Sequence, residues 1–302
     1  MKLHQLRDFI AVARAGSIHQ AARDLKAAQP ALTKSIRQLE KVLGTPLFER
    51  TARGTVLNAF GKRFLARAEL ATNELNRGKD ELEQLLDGKG GRIAIALSGT
   101  PSMLFLPNAI TTFRRRYPEA QVRIVDGLFP VMLPGLRDGS LDFAMSPFPR
   151  QSLSKEFIIE PVFRGTQTVV GRRNHPLCNN TSLAGLVGAE WVLTGAAGSR
   201  TVEFEQQFRQ NHLPVPRADV KCESLLALVS LLSSSDLLAF LPQQWVDSQL
   251  TAHALCEIRV RENISSPTIC MIRREGLPLT PVAEAFADAL IRESGQLLRQ
   301  SM

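Results

Sequence analysis

Long apolar runs are missing from this 302-residue chain. No stretch approaches the roughly 18 consecutive apolar residues that a membrane-spanning helix needs. The opening run Met1-Lys2-Leu3-His4-Gln5-Leu6-Arg7 also lacks the apolar core of a secretory signal. A soluble, cytoplasmic protein with no membrane partner is therefore expected. Cysteine is scarce, and Cys178, Cys222, Cys256 and Cys270 include no C-x-x-C pair and no neighbouring histidines at metal-ligand spacing. They read as small buried thiols, with no metal site. The five histidines, His4, His19, His175, His212 and His253, are scattered. Leu97-Ser98-Gly99 follows a strand-like run but lacks the flanking glycines of a nucleophile elbow. No catalytic constellation emerges, so neither an enzyme nor a cofactor is expected.

What is present is unevenly distributed charge. Residues 1–67 hold 13 Lys and Arg against 4 Asp and Glu, whereas the remainder holds 24 against 25. The net charge of +8 thus lies in the first quarter of the chain. A basic module joined to a neutral one points to a polyanion at one end.

That basic segment carries three consecutive helical patterns. Leu3, Leu6, Phe9, Ile10 and Ala13 form one apolar stripe that stops at Gly16. Ser17 is placed to cap a short second helix with Ile18, Ala21, Ala22 and Leu25 inward. A third begins near Gln29-Pro30, where proline suits the first turn, and buries Leu32, Ile36, Leu39 and Leu43 before Gly44. Gln29, Thr33, Lys34 and Arg37 lie on its opposite side. Any one of these is unremarkable on a solvated face. As a set on a basic helix-turn-helix they match base and phosphate recognition, since Gln and Arg can address adenine and guanine edges.

Leu47 and Phe48 then read as core plugs, and Ala52-Arg53-Gly54 as a hairpin tip between short strands. Arg50 and Arg53 would project from this wing toward the backbone or minor groove. Gln29, Pro30, Ala31, Thr33, Lys34, Arg37, Arg50 and Arg53 are the candidate contacts to double-stranded DNA. Asn58 can cap a long helix running to about Leu86. Its near-heptad positions Phe60, Phe64, Ala68, Ala71, Leu75 and Leu82 form a candidate dimerisation seam. Gly88-Lys89-Gly90-Gly91 ends it as a linker.

The ordered run Ala21-Ala22, Leu25, Gln29-Pro30-Ala31-Leu32-Thr33, Ile36, Leu39-Glu40, Leu43-Gly44, Leu47-Phe48 and Arg50 resembles the N-terminal signature of LysR-type transcriptional regulators. The likeness is close over residues 3–67. The family commonly has serine where this chain has Ala28, which cannot cap the third helix. The resemblance implies a winged helix-turn-helix over 1–58, a linker helix and hinge over 59–91, and an effector-binding domain over 92–302. It further implies self-association as a dimer or tetramer, with RNA polymerase as a further partner.

Residues 92–302 alternate strand and helix, as in an α/β protein with a parallel sheet. Strands are expected near 92–98, 122–125, 141–145, 190–194, 219–222, 237–241, 256–260 and 268–273, with two more within 157–171. One helix is expected from after Ser102 to about Arg116, and a last one over 281–299. The resemblance implies two lobes like those of periplasmic solute-binding proteins, lobe I over about 92–161 and 268–302 and lobe II over about 162–267. Ligands of such sheets bind beyond the carboxyl ends of strands. Ser98, Gly99, Thr100 and Ser102 form one candidate site there, and Ser199, Arg200 and Thr201 form a second, with Pro147 and Phe148 at the crossover. Each segment also reads as an ordinary helix cap. Facing each other, they suggest a small anionic effector such as a carboxylate or sulfonate. The rival expectation is a cytoplasmic sensor or solute-binding protein whose N-terminal module docks a protein.

Overall fold

The computed structural model describes residues 1–51, 54–87, 90–147, 156–194 and 199–300. The chain divides into two compact units, residues 1–86 with 134–140, and residues 87–133 with 141–302. Among the described residues no helix is long and apolar enough to cross a membrane.

The first unit opens with α1 (Leu3–Ala15), α2 (Ile18–Asp24) and α3 (Gln29–Leu43). Gly16 and Gly44 terminate α1 and α3 at φ of 63° and 73°, in the left-handed region open to glycine. Ser17 caps α2 by accepting a hydrogen bond from the Gln20 N–H. The inward stripes meet in one core of Leu6, Phe9, Ile10, Ala21, Ala22, Leu32, Ile36 and Leu39. Strands β1 (Phe48–Thr51) and β2 (Gly54–Leu57) pair antiparallel beyond α3. Leu47 is 1% exposed and plugs the core under this hairpin.

Next comes α4 (Ala59–Asp87), with the Asn58 carboxamide oxygen accepting from the Gly61 N–H at 2.8 Å. Two of the seam positions expected from the sequence pack inward instead. Ala68 is 2% exposed, and the Phe64 ring lies 5.3 Å from Phe9, so both close this unit's own core. Apolar periodicity defines a face of a helix, not what covers it. Phe60, Ala71, Leu75 and Leu82 are the members of that stripe left exposed. Farther along, the Asn73 amide donates to the Asp138 carbonyl at 2.7 Å within the same unit.

In the second unit β3 (Gly90–Leu97) leads into α5 (Gly99–Leu104) and α6 (Leu106–Arg116). The single helix expected here is broken at Phe105, because Pro107 begins the next helix and cannot donate to the preceding turn. Then follow β4 (Glu119–Asp126), α7 (Phe129–Asp138), whose residues 134–138 group with the first unit, β5 (Phe143–Pro147), β6 (Phe157–Phe163) and β7 (Gln167–Arg172). A 3₁₀ turn at Leu183–Leu186 precedes β8 (Val192–Thr194), α8 (Ser199–Arg209), β9 (Val220–Cys222), α9 (Leu225–Ser234), β10 (Ala239–Pro242) and α10 (Gln244–Asp247). The order closes with β11 (Leu255–Ile258), β12 (Ile269–Arg274) and α11 (Pro281–Gln300).

Two lobes result. The sheet of lobe I runs β4-β3-β5-β12-β6, parallel from β4 to β5. Its β12 is antiparallel to both neighbours, a departure from an all-parallel sheet. The cause is connectivity, since the chain re-enters from lobe II without a crossover helix to reverse its direction. Phe105, Phe113, Phe143 and Phe286 fill this core. Lobe II holds β10-β7-β11 and the parallel pair β8-β9, around Trp191, Phe204, Phe208 and Phe240. Of the cysteines, Cys222 and Cys270 are buried, but Cys178 is exposed, against expectation. It lies in a turn after Leu177, outside either sheet. Burial pushes the Cys256 and Cys270 thiols up, away from the reactive thiolate.

Candidate nucleic-acid interface and ligand cleft

The outer face of α3 is fixed by the burial of its inner face. With Leu32, Ile36 and Leu39 in the core, Gln29, Pro30, Ala31, Lys34 and Arg37 are exposed and Thr33 is half-buried. Gln29, Pro30, Thr33, Lys34 and Arg37 line one shallow concavity together with Gln38 and Lys41. The last two were not singled out from the sequence, although Lys41 continues the 30, 34, 37 spacing along the helix. His19 also reaches this region, its Nδ1 standing 3.4 Å from the Gln29 side-chain oxygen. Thr33 donates to the Gln29 carbonyl at 3.0 Å, so its oxygen remains an acceptor.

Hydrogen bonds tie the hairpin and its flanks into the unit. Glu40 accepts from the Leu47 N–H at 2.8 Å, the Thr55 N–H donates to the Gly16 carbonyl at 3.0 Å, and Asn58 donates to the Pro46 carbonyl at 2.9 Å. Arg50 lies on β1, its side chain outside the description, and Arg53 at the tip falls outside the described residues.

Ala28 occupies the N-cap of α3 with no side-chain bond to the free N–H groups of the first turn. An Ala28→Ser replacement should therefore stabilise the first unit by about 1 kcal/mol. Thermal unfolding checks this, and an unchanged or lowered midpoint counts against a vacant cap.

In the second unit a cleft, partly open to solvent, lies at the carboxyl ends of the strands. Ser98, Gly99, Thr100 and Pro147 line it as expected from the sequence; Ser102 and Thr201 are not among its lining residues. Ser102 sits one turn further along α5. Phe148 lies outside the described residues, as do the side chains of Ser199 and Arg200. The ordinary-cap reading of Ser98 does not hold. Its side chain makes no cap bond, it is 2% exposed, and its hydroxyl has no partner among the described residues.

Sequence reasoning missed most of the remaining wall. Asp126 ends β4 and Gly127 follows it, Glu223 and Ser224 follow β9, and Phe163, Leu225, Leu228 and Trp245 supply an apolar surface. The Trp245 indole N–H donates to the Thr100 hydroxyl at 3.3 Å, and its ring would lie 3.2 Å from a Cβ at Gly99. That close approach ties lobe II to the first turn of α5. Any side chain at Gly99 would push the indole away.

A winged helix-turn-helix followed by a long helix and a two-lobed α/β domain with a cleft defines a DNA-binding regulator that responds to a ligand. Comparison with known proteins identifies the family. Residues 3–62 match the bacterial regulatory helix-turn-helix of the lysR family, and residues 86–295 match the LysR substrate binding domain. The chain belongs to the LysR family and is a DNA-binding transcriptional regulator with an effector-binding domain. It is 28% identical over 245 residues to the regulator TdcA of Escherichia coli strain K12, covering 80% of this chain and 77% of that one. Over 295 residues it is 26% identical to YybE of Bacillus subtilis strain 168, an uncharacterised regulator, covering 96% and 98%. The crystal structure of CbnR, a LysR family transcriptional regulator, superposes with a TM-score of 0.72 at 25% identity, covering 97% and 99%.

Proposed function

We propose that residues 1–58 read an operator, residues 59–91 pair two copies, and residues 92–302 bind the effector that sets regulatory output. The observation that carries the first assignment is the exposed polar and basic face of α3 on an otherwise buried three-helix core. Gln29, Thr33, Lys34 and Arg37 face the major groove, and Pro30 and Ala31 allow close approach of the helix N-terminus. Arg50 and Arg53 reach the adjacent backbone or minor groove. Titrating the protein against duplex DNA from its own control region over a range of salt tests this. Log affinity should fall linearly with log salt, by about 0.9 per phosphate neutralised. A flat response would remove DNA recognition and favour protein docking instead.

Ser98, Gly99, Thr100 and Pro147, joined by Asp126, Glu223 and Trp245, form the effector site. A ligand that bridges the lobes shifts their relative populations, and with them the geometry of the paired subunits on bent DNA. RNA polymerase is the proposed further partner on the promoter.

Self-association follows the exposed stripe of α4. Leu75 is 58% and Leu82 64% exposed, more than isolated apolar side chains on one helix face require. Pairing would set two α3 helices about 34 Å apart, in successive major grooves. A Leu75→Asp/Leu82→Asp double variant should sediment as a smaller species than the parent and lose affinity for a two-half-site operator. Retention of the parental sedimentation coefficient would remove α4 from the interface.

A further inference from the structure

We propose that the effector carries an ammonium group on a compact apolar body, which the cleft recognises through one carboxylate from each lobe. The inference rests on the reading of the cleft as the effector site. Asp126 is the last residue of β4 and pairs in register with Leu97, immediately before Ser98. Glu223 directly follows β9, whose Cys222 pairs in register with Thr194 at the end of β8. Both carboxylates therefore stand at the carboxyl ends of parallel strands, in the places that such sheets reserve for ligands. They are the charged residues of the cleft wall among the described residues; lysine, arginine and histidine do not line that part of it.

A pair of carboxylates alone is an ordinary solvated feature. What makes it a site is Ser98, which lines the same cleft as a 2% exposed residue with a buried, unpartnered hydroxyl. A buried hydroxyl left without a partner is unfavourable, and a ligand polar group removes that penalty. Phe163, Leu225, Leu228 and Trp245 supply an apolar surface for the rest of the molecule. A metal ion in place of the ammonium group fits poorly, because the described residues contain no cluster of three His, Cys, Asp or Glu. The carboxylate or sulfonate expected from the sequence relied on Arg200. On the described wall it would face Asp126 and Glu223 across a cleft of lowered dielectric.

Three small molecules of similar shape isolate the charge: 3-phenylpropylamine, 3-phenylpropionate and 3-phenylpropanol. Binding is measured on the full-length protein by calorimetry or ligand-observed NMR, for the parent, Asp126→Asn, Glu223→Gln and the cleft-filling Leu225→Trp. The amine should bind at least tenfold more tightly than the other two. Either carboxamide replacement should weaken its binding about tenfold, as expected for a charge-assisted hydrogen bond, and Leu225→Trp should abolish it. Preference for the propionate, lost in Leu225→Trp, would overturn the ammonium assignment and leave the cleft as the effector site. Binding unaffected by Leu225→Trp would overturn the cleft reading itself. Absence of binding by 3-phenylpropylamine would overturn the assignment as well.

Discussion

Replacing Phe9 by alanine should unfold the DNA-reading unit well below the temperature at which the effector-binding unit melts. Phe9 is fully buried, and its ring packs 5.4 Å from Phe48 and 5.3 Å from Phe64. One side chain thus joins α1 to the hairpin and to the start of α4. Truncating a buried phenylalanine costs about 3–5 kcal/mol, against a typical domain stability of about 5–15 kcal/mol. The cost is concentrated in the first unit, whose core shares no residue with the clusters of the two lobes. Calorimetry should show an early transition for the small unit and a nearly unchanged one for the large unit. DNA affinity should fall with the first. A shift of less than about 1 kcal/mol would mean that the three elements hold together without this ring.

Arg37→Ala should lower affinity for the specific operator by about 10- to 100-fold while leaving effector affinity intact. Arg37 is exposed midway along α3, among the residues of the polar face. A guanidinium paired with a guanine edge contributes about 1–3 kcal/mol of discrimination. Lys34→Ala provides the contrast. If Lys34 neutralises a phosphate, its loss should weaken specific and unrelated DNA alike and reduce the salt slope by about one. Measuring both variants on operator and random duplex, at several salt concentrations, separates reading from gripping. Equal losses on both duplexes for Arg37→Ala would move that residue from base recognition to backbone contact.

The first unit was legible because each of its signals is local. The stripes of α1 and α3 repeat at helical spacing, glycines end both helices, and Ser17 and Asn58 cap where their side chains suggest. The role of Phe64 and Ala68 was not legible in the same way. Their spacing is that of Leu75 and Leu82, and only the tertiary fold determines that the early members meet Phe9 while the later ones meet solvent. The break at Phe105 had a readable mark in Pro107, within what otherwise looks like one apolar helix.

The cleft shows the sharper limit. Its residues were found where a strand leads straight into a helix, after β3, and were missed after β4 and β9. The same rule about strand ends would have pointed to Asp126 and Glu223, had it been applied to every strand. Trp245 carries no such mark. Its contact with Thr100 spans 145 residues of sequence and follows from the way the lobes are joined.

The interior position of β12 in its sheet has a bearing on how the protein is made. Lobe I cannot complete its sheet from its own early strands, because β12 must slot between β5 and β6 after the whole of lobe II has been threaded. During synthesis at about 5–20 residues per second, the edge of β5 would wait on the order of ten seconds for its neighbour. An unpaired, apolar strand edge is a template for mispairing over that interval. Nascent chains should therefore be most dependent on ribosome-associated chaperones between emergence of Pro147 and emergence of Arg274, long after the three-helix head has collapsed around Phe9.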